Sequence, residues 1–362
     1  MRLTLPVIFL FVSLVSAAQS SNKKEDALKL ARQAVKIMDE GETDQAIMLL
    51  DSAKRMDPTN YVYDYETGYA YMLKKDRKNA IFFFEASTKY ETTDAQCYQM
   101  LGNAYDEAGN KDKAIAAYAT GLEKFPNAGR LYMEWGIIEA NSGNRGEALN
   151  KWEKGIKAEP TYPSNYVRLA DLFSETDHRI WSIFYGEMFM NIERNSERTG
   201  RMSQLLFKMY KQSITIVSDK EAKVDFTDSK ITMVDPSKKF QLPFRMAYGI
   251  DFLVGMGFNS IEKKNKEVTL EYIINARVAF IDWWFKQKRN TDYPNILLSF
   301  QKELRDKGYL EAYNYWLFMK GDEDAFQKWY DANTDKYKEF VEWFTKNPLT
   351  IDEKHFFIRP ED

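Results

Sequence analysis

Cysteine and histidine are both scarce in this chain of 362 residues. Cys97 is the only cysteine, and His178 and His355 are the only histidines. A single cysteine cannot form an intramolecular disulfide, so packed apolar surface must stabilise the fold. Neither histidine has a partner at a metal-ligand spacing, and no basic residue lies near Cys97 in sequence to activate its thiol. We therefore predict no metal site, no cofactor and no catalytic cysteine.

The chain has no large excess of either charge, and common enzyme motifs are absent from its sequence. The 51 basic and 54 acidic residues give a net charge of -3, whereas nucleic-acid-binding domains normally carry a basic stripe. Neither a G-x-S-x-G elbow nor a Walker loop occurs. Because paired carboxylates need not be close in sequence, carboxylate-dependent hydrolysis stays open. We predict that the protein is not an enzyme, binds no nucleic acid and has no dedicated small-molecule site.

Long apolar runs are confined to the N terminus. One arginine precedes an apolar run over residues 3–15 and small residues at 16–18, an order typical of a signal peptide that is cleaved after Ala17 or Ala18. A retained anchor is the alternative, but about 16 apolar residues fall short of the roughly 20 that a spanning helix needs. We expect residues 1–18 to be a signal peptide. The mature protein is then exported without an integral membrane span, to the periplasm or to the extracellular space.

A period of 34 residues organises the first half of the chain. It is marked by Ala46, Ala80, Ala114 and Ala148. Small residues recur 12 positions before each alanine and large residues 4 positions after it, namely Ala34, Gly68, Gly102 and Gly136, and Leu50, Phe84, Tyr118 and Trp152. A fixed period of this length indicates a solenoid of stacked helical hairpins. The turns "EGET", "AGNK" and "SGNR" divide each pair of helices with residues that tolerate unusual backbone angles.

This pattern resembles the tetratricopeptide repeat, whose signature is W-x2-L-G-x2-Y followed by A-x3-F and P. The closest match is "YQMLGNAY" at residues 98–105, with Ala114, Tyr118 and Pro126 after it. A degenerate fifth unit begins near Pro163 and has Ser182 at the alanine position. The resemblance implies an array of four clear repeats and a fifth over residues 24–195. It also implies that the first helix of each unit lines a concave groove that binds a segment of another protein.

Groove positions are the second, fifth, ninth and twelfth of each unit, because they share one helical face. The candidate partner-binding residues are Val62, Tyr65, Tyr69, Met72, Gln99, Asn103, Arg130, Met133 and Ile137. In the first unit the same positions hold Leu28, Ala31, Val35 and Met38. Because Ala31 and Val35 stand where the carboxylate-clamp type of array has Lys and Asn, that function is discounted. The groove is predicted to be apolar and aromatic with a polar centre in the third unit, and to bind an apolar partner segment. A groove that is filled by the chain itself is the alternative.

The remainder, residues 196–362, is predicted to be a small mixed domain. Alternating apolar and polar residues over 213–234 indicate a short antiparallel meander, and helical spacing returns beyond residue 240. Aromatic residues crowd this part, including Trp283, Trp284 and Trp316. Core packing is the preferred interpretation, and a glycan site is the alternative.

The sequence thus predicts a mainly α protein, with a tetratricopeptide-like solenoid followed by a small α+β domain. The predicted function is that of a non-enzymatic scaffold of the cell envelope that binds a partner protein in its groove. A glycan-binding or hydrolytic protein that acts through its C-terminal domain is the alternative.

Overall fold

The computed structural model describes residues 7–218, 221–227, 242–257 and 267–360, with side chains from Asn22 onward. The fold is mainly helical, as predicted. The chain divides into two compact units, residues 1–148 and 149–362. The boundary between these compact units falls within one helix of the fourth repeat. It differs from the predicted boundary at residue 195, which marks where the sequence period stops.

The first unit consists of helical hairpins in the predicted register. Its helices are α1 (Val7–Asp39), α2 (Thr43–Met56), α3 (Val62–Leu73), α4 (Arg77–Ser87), α5 (Ala95–Glu107), α6 (Lys111–Lys124), α7 (Gly129–Asn141) and the start of α8 (Arg145–Ala158). The alanines that mark the period, from Ala46 to Ala148, are all fully buried. The helical backbone of α1 is continuous from the predicted signal peptide into the first repeat.

Glycines set the close approach of the two helices in a hairpin. A Cβ atom on Gly102 would lie 2.1 Å from the Tyr118 ring, and one on Gly68 would lie 2.8 Å from the Phe84 ring. Each ring therefore covers the glycine of its own hairpin. Both rings also join apolar clusters with the next hairpin, Phe84 with Leu101 and Tyr118 with Leu131, so the large residue serves both contacts.

Left-handed backbone closes each hairpin of the first unit. Gly41, Gly109 and Gly143 have φ of 92°, 78° and 83°, which glycine adopts without a steric penalty. In the second hairpin the corresponding residue is Lys75, with φ of 60°. This turn carries a side chain where the other three carry none.

The second unit begins with the fifth hairpin and continues into the C-terminal region. Its further elements are α9 (Pro163–Ser174), α10 (Arg179–Ile192), α11 (Glu197–Ser213), β1 (Ile214–Ser218), β2 (Glu221–Val224), α12 (Phe244–Met256), α13 (Leu270–Lys286), α14 (Arg289–Asp292), α15 (Ile296–Asp306), α16 (Leu310–Phe318), α17 (Glu323–Ala332) and α18 (Thr334–Lys346). Ser182, at the alanine position of the fifth repeat, is buried and donates a hydrogen bond to the Ala170 carbonyl at 2.8 Å. The hairpin predicted from Pro163 is therefore present.

The two strands form the predicted antiparallel pair, with Ile214 opposite Val224 and Ser218 opposite Glu221. The third predicted strand of the meander, "SKITMV" at residues 229–234, lies outside the described residues. The sheet described here therefore has two strands.

The core of the second unit surrounds α10, in which every residue from Ile180 to Asn191 is buried. Glu187 of this helix forms an ion pair with Arg277 of α13, with Nη2 at 2.8 Å and 3.0 Å from the two carboxylate oxygens. Trp284, Trp316, Phe340 and Phe344 are buried as well. These aromatic rings belong to the core, as preferred from the sequence, and are not available for stacking on a glycan.

Candidate functional site

The apolar part of the predicted groove lies on α3, with one equivalent position on α1. Tyr69 is 40% exposed, and Leu73, one turn further on, is 47% exposed. Val35 occupies the position equivalent to Tyr69 in the first repeat and is 37% exposed. We call Val35, Tyr69 and Leu73 the exposed apolar strip. Val35 and Tyr69 thus expose large apolar side chains at equivalent positions of two successive repeats.

Not every predicted apolar position contributes to this surface. In the first repeat Ala31 and Met38 are buried in the apolar cluster of α1 and α2, so the expectation that they line the groove is wrong. Met133 is buried as well. Val62, Met72 and Ile137 are half-buried. The apolar surface is therefore narrower than the sequence pattern implies, because adjacent hairpins already bury part of the same helical face.

Tyr65 has a structural role in addition to any binding role. Its ring packs against Phe84 with centroids 5.9 Å apart, and its hydroxyl accepts a hydrogen bond from Gln96 Nε2 at 2.5 Å. Burial is the main cause that raises the pKa of Tyr65 to about 12. The hydroxyl thus stays protonated at neutral pH and links α3 to α5.

A polar cluster joins the first helices of the third and fourth repeats. Glu134 Oε1 accepts hydrogen bonds from Gln99 Nε2 at 2.8 Å and from Asn103 Nδ2 at 3.4 Å. Asn103 Oδ1 in turn accepts the Tyr118 hydroxyl at 2.6 Å. Burial, followed by the charges of Glu134 and Asp106, raises the pKa of Tyr118. The amides of Gln99 and Asn103 are thereby held in fixed orientations around one carboxylate.

Glu134 was missed by the sequence reasoning, which counted only the second, fifth, ninth and twelfth positions of each repeat. It occupies the sixth position, next to Met133. The signal that could have identified it is Glu66, which holds the same sixth position two repeats earlier. Burial, and then the charge of Asp39, raise the pKa of Glu66. Two carboxylates on the first helices thus add negative charge to a surface that was predicted to be mainly apolar.

The remaining predicted residue, Arg130, is half-buried at the start of α7. The structure places all nine predicted residues on the first helices α3, α5 and α7. It brings Gln99 and Asn103 together through Glu134, whereas Val62, Tyr69 and Met72 share the single helix α3. The site is therefore an extended surface with an apolar part and a polar part.

Cys97, His178 and His355 are the side chains best suited to thiol or metal chemistry. Within the described part of the chain, no group of three His, Cys, Asp or Glu side chains is placed to hold a metal ion. Burial raises the pKa of the Cys97 thiol, which lowers the fraction of reactive thiolate at neutral pH. His178 Nδ1 lies 3.0 Å from Thr227 Oγ1, and His355 Nδ1 lies 2.8 Å from Asp352 Oδ1.

Comparisons with known proteins support the tetratricopeptide resemblance. The family model for the tetratricopeptide repeat matches residues 95–123, which span most of α5 and α6. The human PEX5-related protein is 30% identical over 98 residues, which are 27% of this chain and 16% of that protein. This chain therefore spans less than a fifth of the length of that relative. A helix long and apolar enough to cross a bilayer is not found among the described residues.

Solved structures of similar proteins include three with tetratricopeptide or pilus-related descriptions. PilF of Pseudomonas aeruginosa is 16% identical, covers 53% of this chain and 86% of its own, and has a TM-score of 0.44. The type IV pilus biogenesis factor PilW is 18% identical, with 51% and 84% coverage and a TM-score of 0.41. YrrB, a protein with an unusual peptide-binding site, is 19% identical, with 50% and 92% coverage and a TM-score of 0.34. Because these scores lie below 0.5, the fold assignment depends on the helices, their period and the family model. On those grounds the chain carries a tetratricopeptide-type helical array, an architecture that serves as a scaffold for protein interactions.

Proposed function

We propose that the protein is a non-enzymatic scaffold and that the first helices of residues 27–141 bind a segment of a partner protein. The observation that carries the proposal is the exposed apolar strip of Val35, Tyr69 and Leu73 beside the carboxylate of Glu66. A partner segment that buries these side chains gains the free energy of removing apolar surface from water.

The charges on this face favour a segment that carries a basic residue among its apolar anchors. The carboxylates of Glu66 and Asp39 make the local electrostatic potential more negative. A cation placed between them would relieve their mutual repulsion. The polar cluster around Glu134 supplies fixed hydrogen-bonding groups further along the same face. Orientation by such prearranged groups gives specificity at a small entropic cost.

The test compares two exposed aromatic side chains of the second repeat. A photo-reactive phenylalanine analogue replaces Tyr69 on the first helix α3 in one variant, and Phe82 on the second helix α4 in the other. Phe82 is 63% exposed, so mere exposure predicts stronger cross-linking there. The proposed groove instead predicts one recurrent partner at position 69 and none at position 82.

The captured partner is then used in a binding titration. We expect Tyr69→Ala to weaken binding about tenfold, the effect of losing about 1.4 kcal/mol at an interface anchor. Phe82→Ala should leave the affinity unchanged. Equal effects of the two substitutions, or equal cross-linking at both positions, would contradict the groove as the binding surface.

We also propose that the protein is exported to the cell envelope, with the periplasm as its compartment. The support is the charged, apolar and small-residue order of residues 1–18. Intact-mass measurement of the protein isolated from its native envelope fraction should give an N terminus at Ala18 or Gln19. A mass that includes residues 1–17 would contradict cleavage.

A further inference from the structure

The last described residues of the chain form an extended segment that lies on helices of the second unit. Residues 347–360 contain no helix or strand, and we call residues 356–359 the tail motif. Phe357 is buried, and its ring packs against Phe184 at 5.0 Å and against Tyr185 at 5.2 Å. Trp181 completes the aromatic socket, with its ring centroid 6.3 Å from that of Phe357.

Arg359 provides the second anchor of the tail motif. Its Nε donates a hydrogen bond to Glu153 Oε1 at 2.8 Å, and its guanidinium lies 5.8 Å from the Phe173 ring centroid. Its backbone N–H donates to the Tyr185 hydroxyl at 3.1 Å. An aromatic side chain in a socket, a charge-assisted hydrogen bond and a main-chain hydrogen bond are the elements by which proteins bind extended peptides.

The socket is built by the repeat helices themselves. Tyr185 of α10 donates a hydrogen bond to Glu153 of α8 at 2.8 Å, so this acceptor is oriented by a neighbouring helix as well as by the tail. Glu153 is 15% exposed. A partly buried carboxylate that faces an aromatic socket needs a cation to offset its desolvation. The tail supplies that cation through Arg359.

The tail itself is attached by few groups. Residues 352–355 are exposed, and their hydrogen bonds close a local turn between Asp352 and His355. Beyond this turn, Phe357 is the only fully buried side chain among residues 351–360. A segment held by one buried ring, the contacts of one arginine side chain and one main-chain hydrogen bond can open without unfolding the helices beneath it.

We propose that this socket is a second protein-binding site and that the tail motif is its resident ligand. The external ligand is a peptide that carries an aromatic residue two positions before an arginine, and it binds when the tail is displaced. The site is made by α8, α9 and α10 within the second unit. It is independent of the groove proposed on residues 27–141.

The test uses the full chain and a fluorescent peptide with the sequence of residues 350–360, "TIDEKHFFIRP". The double variant Phe357→Ala and Arg359→Ala removes both anchors of the tail and leaves the socket intact. We expect this opened variant to bind the peptide at least about tenfold more tightly than the wild type. The reason is that the tethered tail competes at an effective concentration on the order of millimolar.

Two controls define the contacts. Adding Glu153→Gln to the opened variant should weaken peptide binding about tenfold, because the arginine loses its charged acceptor. A peptide in which the residue equivalent to Phe357 is alanine should not bind. A folded opened variant that binds no more tightly than the wild type would overturn the proposal.

Hydrogen exchange of the wild type keeps the proposal testable if the opened variant fails to fold. The amide to follow is that of Arg359, which donates to the Tyr185 hydroxyl at 3.1 Å. We expect it to exchange at least about 100-fold faster than the amides of α10, since tail opening does not require global unfolding. Exchange as slow as that of α10 would make the tail a part of the core and would overturn the proposal. So would a wild-type dimer that Arg359→Ala abolishes, because the occupant would then be a second copy of this chain.

Discussion

Replacing Arg277 by methionine should strongly destabilise the second unit, because it leaves the carboxylate of Glu187 buried without its cation. Glu187 is 1% exposed and Arg277 3% exposed. Burial is the largest single influence and lowers the pKa of Arg277, but the charge and hydrogen bond of Glu187, together with Tyr210 and Tyr248, outweigh it, so the net effect raises that pKa. Breaking one side of such a pair costs about 3–5 kcal/mol.

The structure places the expected value at the lower end of that range. After the substitution, Glu187 keeps hydrogen bonds from Gln301 Nε2 at 2.7 Å and from the Tyr313 hydroxyl at 2.9 Å. These two neutral donors stabilise part of the negative charge. We therefore expect Arg277→Met to lower the free energy of unfolding by about 3 kcal/mol.

A double-mutant cycle in urea, followed by circular dichroism at 25 °C, measures the coupling. Glu187→Met alone should cost a similar amount, since it leaves the guanidinium unpaired. The double variant should cost about 3 kcal/mol less than the sum of the two single variants, because no unpaired charge remains. Additive effects, or a cost below about 1 kcal/mol for Arg277→Met, would refute the reasoning.

Five further substitutions in the first unit test the repeat geometry and the groove charge. Lys75→Gly should raise the free energy of unfolding by about 1 kcal/mol because Lys75 has a φ of 60°, and the reciprocal Gly109→Lys should lower it by a similar amount in the same urea assay. Gly102→Ala should cost about 1–3 kcal/mol because its Cβ would lie 2.1 Å from a ring, whereas Gly146→Ala, with open space around its Cβ, should be neutral or stabilising. Burial, with the Asp39 charge, raises the pKa of Glu66 above 4.5. The folded state therefore binds the Glu66 proton more tightly than the unfolded state does. As a result, this group lowers the free energy of unfolding as pH rises through the raised pKa. Glu66→Gln should therefore stabilise the protein at pH 7, with an effect that disappears near about pH 3.5 in parallel urea titrations; an equal gain at both pH values would contradict this cause.

The local parts of the fold could be predicted from the sequence. The period of 34 residues gave the hairpin register, since alanine and glycine at fixed positions allow helices to cross closely. Ile214 and Val224 fall in segments whose alternation predicted a strand pair. Trp284 and Trp316 lie in the core, as the preferred interpretation of the aromatic residues expected, whereas Trp283 is half-buried.

Which apolar residues remain exposed was decided only by tertiary packing. Met38 and Tyr69 share the same predicted face of their first helices, yet Met38 is buried and Tyr69 is exposed. Periodicity tells which face of a helix is apolar, but the neighbouring hairpins determine how much of that face they cover. The polar cluster around Glu134 depends in the same way on side chains that lie 31 and 35 residues apart.

The sequence by itself determined the repeat architecture, because each turn and each small residue acts within one hairpin of 34 residues. The tertiary structure decided which side chains stay exposed and which distant segments meet, since both depend on contacts that are not local in sequence. The clearest case is Arg359, which lies 206 residues from Glu153 in sequence and donates a hydrogen bond to it. No local pattern encodes such a contact, because it forms only when the packed helices have created the socket.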